Sequence, residues 1–233
     1  MTLLVVTAVA AERDAVLGGL GALAVSLDDA GTSSANTDSE TPPVRILVGG
    51  VGVAAAAART AYELVAHESA TGQPYEAVVN MGIAGAYLGR AAIGDTVIGT
   101  HSVAADLGAD SPDGFLTMSD LGQGPDTVDA HQDLVARLTV ALPKAHLGSV
   151  LTVQTVTGSA ARAAYLADRH HDAVAEAMEG YGVATAADLR GIAFAEIRTV
   201  SNLVGPRDRA AWRIGLAMAA LSDAAAALAT LVA

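Results

Sequence analysis

The stretch AMEGYGVATAADLRGIAFAEIRTVSN, Ala177 to Asn202, decides how this chain is read. Its order is strand end, acidic turn, helix, strand, polar turn. Met178-Glu179 closes the first strand, and Arg198, Ser201 and Asn202 stand at the end of the second. In an α/β sheet, side chains at such strand ends gather at one rim, where ligands bind. Two charged groups and an amide gathered there need a chemical reason.

The same alternation extends outward in both directions. Upstream, Leu3–Val9 is a short apolar run of the kind that forms a strand buried on both faces. A helix is expected over Ala10–Ala24, a strand over Val44–Val48, an Ala-rich helix to about His67, and a third strand over Ala77–Asn80. Asp95–Ala105 has a β-like pattern, Asp106–Asp126 is rich in turns, and Val128–Leu142 reads as helix stopped by Pro143. Strand over Leu147–Val153, helix over Ser159–Arg169, and strand over Val174–Met178 follow. Beyond the opening stretch a helix closes the chain, from about Arg209 to Leu231. Strands alternating with helices predict a largely parallel sheet covered on both sides, with an antiparallel excursion in the middle.

Composition narrows the class. The 233 residues suit one α/β domain, 1–233, and the 52% apolar content gives ample core material. The polar run Ser26–Pro43 reads as a mobile surface loop. A net charge of −12 and 3% aromatics argue against a nucleic-acid surface, which needs a basic face or stacking rings. The absence of cysteine excludes disulfides and thiolate chemistry, and the six histidines are not spaced for joint ligation, so no metal and no cofactor are expected. The N-terminus reads as a strand and the C-terminal Ala-rich run as a packed helix, so no membrane span is expected and the location is cytoplasmic by default.

Four features invite chemistry. GGVGVAA, from Gly49, has the form of a dinucleotide turn, but no acid ends the following strand; a tight strand-to-helix turn is the better reading, and a turn that also lines some other pocket stays open. NMGIAG, Asn80–Gly85, is read as a second glycine turn that either only turns the chain or brings backbone to a small ligand. Glu12, at a helix start, is electrostatically favoured there whether or not it reacts; as a reactive group it would be a general base for water. Glu179 suits the vicinal hydroxyls of a ribose and the charge of a developing oxocarbenium.

With Glu12, NMGIAG, AMEGYGVA and RTVSN taken together, the chain resembles the nucleoside phosphorylase and nucleosidase superfamily over nearly its whole length. The resemblance implies a three-layer α/β/α fold with a mixed, largely parallel central sheet, and cleavage of a purine nucleoside at its N-glycosidic bond. It implies that Met178 lies against the ribose, Glu179 on its hydroxyls, and the segment from Gln154 through Val156 to Thr157 beside the base. Glu12 matches the residue that holds attacking water in the bacterial methylthioadenosine/S-adenosylhomocysteine nucleosidases, and Arg198 a residue supporting that water. Ile83 stands where those enzymes have a small hydroxyl residue. Asn202, beside Ser201, replaces their aspartate; an amide N–H can face a 6-oxopurine, so hypoxanthine or guanine is the expected leaving group.

SNLVGPRD with Trp212, and Gly108–Phe115, are similar to the futalosine hydrolase branch, whose substrate carries a carboxyphenyl group on the 5′ side. Arg207 or Arg209 is the candidate for that carboxylate. The rival readings are an adenine-releasing nucleosidase, a purine nucleoside phosphorylase and a noncatalytic nucleoside-binding module. The resemblance also implies a homo-oligomer, a dimer or larger, as the partner state.

Overall fold

Strand β1 (Leu3–Thr7) shows how the sheet is built. Leu3 and Val5 join one apolar cluster and Leu4 and Val6 another, so alternate side chains of one buried strand feed two cores. The structure, a computed structural model, describes residues 1–27 and 43–232. The remaining elements, in order, are α1 (Ala10–Leu20), β2 (Ala24–Ser26), β3 (Val44–Val48), α2 (Val53–Thr71), β4 (Ala77–Ala86), β5 (Thr96–Ala104), β6 (Gly108–Ser111), β7 (Gly114–Thr117), β8 (Thr127–Asp129), α3 (Gln132–Ala141), β9 (His146–Thr152), α4 (Ala160–Arg169), β10 (Ala173–Ala177), α5 (Gly180–Asp188), β11 (Ala193–Leu203) and α6 (Ile214–Ala229).

Among the described residues, nine strands form one mixed sheet in the order β10-β9-β5-β11-β4-β1-β3-β2, with β8 added to β5. Helices α1, α3 and α6 cover one face through Val16, Leu138 and Leu221; α2 and α5 cover the other through Leu64 and Val183. This is the α/β/α arrangement expected. The sheet also closes on itself, because β10 pairs with β4 as well as with β9. The closing contact is short, Ala175 opposite Ala86 and Glu176 opposite Gly85, and it lies at the site described below.

Several expectations need correction. NMGIAG is not a turn: β4 runs through it to Ala86, because β11 pairs with it along its whole length and satisfies its backbone. Arg198 is therefore inside a strand rather than at its end, and β11 continues to Leu203. The helix expected from Val128 begins at Gln132, since Thr127–Asp129 pairs with the edge of β5. The first helix stops at Leu20, where Gly21 adopts a positive φ, and Ala24–Ser26 pairs with β3. The closing helix starts at Ile214, after a 3-10 turn over Arg209–Ala211. Of the expected loop Ser26–Pro43, Ser26 ends β2, and residues 28–42 lie outside the described residues.

Candidate active site

Glu12 enters from the first turn of α1. Its Oε2 accepts from the backbone N–H of Ala8 at 2.9 Å and of Val9 at 3.3 Å, and its Oε1 from the N–H of Ile83 at 2.9 Å. The carboxylate is thus pinned between the helix start it caps and β4. Burial pushes its pKa above the ordinary carboxylate range; Arg198 and the N–H groups of Ile83 and Ala8 pull it down, and Glu179 adds to the rise.

Arg198 is fully buried on β11. Its Nε donates to Glu196 Oε1 at 2.8 Å, and its Nη1 lies 3.6 Å from Glu179 Oε2. Burial opposes its charge, but Glu196, Glu179 and Glu12 outweigh that and hold its pKa above the usual value. Nη2 has no partner among the described residues. A Cβ on Gly82 would lie 2.6 Å from Glu12 Oε1 and 2.9 Å from Arg198 Nη1, so only bare backbone fits between these groups.

Glu179 is buried at the start of α5. It accepts from the N–H of Gly52 at 3.2 Å and of Met178 at 3.3 Å. The glycine turn after β3 therefore opens α2 and also touches the site, through one backbone donor.

A second group gathers around Gly85. Asn202 pairs with Gly85 across β11 and β4, after a bulge between Val200 and Asn202. A Cβ on Gly85 would lie 3.1 Å from Asn202 Nδ2. Asn202 Oδ1 accepts from the Ser201 hydroxyl at 2.8 Å, and Nδ2 donates to Leu203 O at 3.0 Å. Asn202, Val156, Thr157 and Glu176 line a cavity of about 80 Å³, which Arg207 and Trp212 also border. Asn202 and Trp212 also line a larger, mainly apolar cavity of about 590 Å³. Arg209 lines neither; it lies over the Trp212 ring at 5.9 Å.

The structure thus brings Glu12, Glu179 and Arg198 together with the backbone of Ile83 and Met178, and separately Asn202 with Ser201, Val156 and Thr157. Gly82 and Gly85, three residues apart on β4, lie under the two groups. Among the described residues, no cluster of three or more His, Asp or Glu side chains is placed to hold a metal ion, and no helix is long and apolar enough to cross a membrane.

Residues 36–233 match the Phosphorylase superfamily. The chain belongs to the phosphorylase superfamily. Within it, the chain is 47% identical to a futalosine hydrolase of Streptomyces coelicolor over 229 residues, which cover 98% of this chain and 95% of the relative. It is 46% identical to a futalosine hydrolase of Acidothermus cellulolyticus, over 97% of this chain and 89% of the relative. A methylthioadenosine/S-adenosylhomocysteine nucleosidase of Colwellia psychrerythraea, solved with adenine, shares the superfamily fold, with a TM-score of 0.76 at 20% identity over 100% of this chain and 96% of its own.

Sequence reasoning did not single out Glu196, Glu176 or Tyr87; Gly52 it took only as part of the glycine turn, for which lining a pocket stayed open. Glu196 carried a usable signal: it is a lone acid in an apolar strand, two residues before Arg198, so alternation puts both on one face. Glu176 carried the same signal as the one acid in the apolar run AVAEA, but nothing in the chain named its partners, which are set by the closing of the sheet.

Proposed function

We propose that this chain, acting as one nucleosidase domain, hydrolyses the N-glycosidic bond of futalosine and releases hypoxanthine and dehypoxanthinyl futalosine. The observation that carries the hydrolytic reading is the buried pair Glu12 and Arg198. Glu12 is a carboxylate with a raised pKa, suited to take a proton from water. Arg198, the cation beside it, is already matched by Glu196 and Glu179, which leaves little positive charge for a phosphate. The futalosine hydrolases of similar sequence support the substrate.

In this reading water on Glu12, steadied by the spare Nη2 of Arg198, attacks the anomeric carbon as the bond to the base breaks. Its proton passes to Glu12. Glu179 binds the ribose hydroxyls and stabilises the oxocarbenium, with Met178 against the sugar. Asn202, oriented by Ser201, donates an N–H hydrogen bond to O6 or N7 of the leaving hypoxanthine, which departs with the bonding electron pair and takes its proton from solvent, with Val156 and Thr157 beside the ring and Ile83 above the water. No cofactor takes part. Arg207, on the rim of the small cavity, is the better placed of the two arginines for the carboxyphenyl group. The chain acts in the cytoplasm as a homo-oligomer, in menaquinone biosynthesis by the futalosine route. Chromatography of free base from futalosine, with and without phosphate, tests the reading. Hypoxanthine in phosphate-free buffer is expected; release only with phosphate means a phosphorylase, and faster release of adenine from the 6-amino analogue means the adenine-specific nucleosidase.

A further inference from the structure

Glu176 is a buried carboxylate to which the mechanism above gives no part. It sits on β10 directly opposite Gly85 of β4, and Gly85 is in turn paired with Asn202 of β11. Directly paired residues project to the same face of a sheet. Glu176 and Asn202 therefore stand on either side of a residue with no side chain, and both line the small cavity.

The hydrogen bonds of the two groups define what they still offer. Glu176 Oε2 accepts from Thr157 Oγ1 at 2.6 Å and from the Tyr87 hydroxyl at 3.1 Å. Among the described residues, Oε1 accepts only from the Thr157 N–H, at 2.8 Å. A carboxylate has about four acceptor positions, so one remains, on Oε1. Asn202 Oδ1 is occupied by Ser201, and Nδ2 spends one of its two hydrogens on Leu203 O. One donor remains. The cavity thus presents one free acceptor and one free donor from opposite sides of Gly85.

We infer that Glu176 reads the N1–H of the purine while Asn202 donates to its O6, so that the pair selects a 6-oxopurine over a 6-aminopurine. A 6-oxopurine edge carries an acceptor, O6, beside a donor, N1–H, which complements both groups. A 6-aminopurine carries a donor at N6 and an acceptor at N1, which opposes both. Thr157 and Tyr87 fix the carboxylate so that it cannot turn away from the mismatch, and an unpaired buried polar group is what makes such selection steep. This inference rests on the proposed reading that the site releases a purine base.

The test has three arms, read in order. Wild-type protein is first assayed for hypoxanthine release from futalosine; no release of any base sinks the nucleosidase reading and this inference with it. Calorimetry then compares hypoxanthine with 1-methylhypoxanthine on the wild-type protein. The methylated base is expected to bind roughly 10- to 100-fold more weakly, the range for one hydrogen bond to a charged group; equal binding overturns the role of Glu176 and leaves the nucleosidase reading standing. Finally, kcat/KM for futalosine and for its 6-amino analogue is measured on Glu176→Gln. The preference ratio is expected to fall by roughly 10- to 100-fold, a change that a purely structural role would not produce, since it would slow both substrates alike. An unchanged ratio overturns the inference. Should Glu176→Gln fail to fold, the calorimetric comparison decides alone.

Discussion

Arg198 Nε donates to Glu196 Oε1 at 2.8 Å, and both side chains are almost wholly buried. The two residues are neighbours on one face of β11, and Asn80 adds a donor to the same oxygen at 3.2 Å. Removing Glu196 takes the nearest carboxylate from buried Arg198 and leaves it only Glu179 and Glu12; removing Arg198 as well leaves those two buried carboxylates without their cation. Glu196→Leu is therefore expected to lose about 3–5 kcal/mol of stability in denaturant titrations. Glu196→Leu with Arg198→Met should not recover that loss, because Glu12 and Glu179 then lack their cation, and it should be inactive. A double variant as stable as wild type would show that Glu12 and Glu179 do not depend on this cation.

Glu12→Gln keeps the shape of the side chain and removes its basicity. Loss of general-base help predicts a fall in kcat of about 10²–10⁴-fold. A rate close to wild type would take Glu12 out of the mechanism.

The raised pKa of Glu12 also fixes a pH signature. The base must be ionised, so the acid limb of kcat/KM should lie above the ordinary glutamate range and disappear in Glu12→Gln. The stability effect runs the other way. A carboxyl whose folded pKa is raised contributes stability that is fully present below the unfolded value, about 4.3, and lost as pH rises through the folded value. The wild-type minus Glu12→Gln stability difference should accordingly become less favourable to wild type across that window. A flat difference would contradict the raised pKa.

Gly82→Ala puts a methyl group where Glu12 Oε1 and Arg198 Nη1 meet. Both side chains are buried and held by other bonds, so they have little room to give way. Overpacking of this kind costs about 1–3 kcal/mol. Activity is expected to fall far more than the melting temperature suggests, because the displaced atoms belong to the reacting groups. A variant that is less stable but fully active would show that their spacing does not matter.

Asn202→Asp exchanges the free N–H donor beside Gly85 for a second carboxylate. Acceptor would then face acceptor at O6, so relative kcat/KM should move toward the 6-amino analogue. An unchanged preference would mean that the base is read elsewhere.

Much of this protein was legible along the chain. Strands buried on both faces read as apolar runs, as Leu3–Val6 do, and helices between them read by composition, so the layered α/β plan followed from local pattern. Glu12, Glu179, Arg198 and Asn202 stood out because polar groups beside apolar strands are costly without a role. Local pattern erred where pairing overrode it: NMGIAG, with its two glycines, became strand because β11 lies against it. Three relations had no trace in the sequence. One is the bulge before Asn202, without which alternation would leave Asn202 on the side of Arg198. Another is the reach of Arg198 Nη1 across to Glu179 Oε2, 3.6 Å away on another element. The third is the contact of Glu176 with Gly85 that closes the sheet. Periodicity fixes which face of an element is apolar; it does not choose the element's partner or register. Those are decided by contacts between residues far apart in the chain, and the donor and acceptor facing the purine site arise from them.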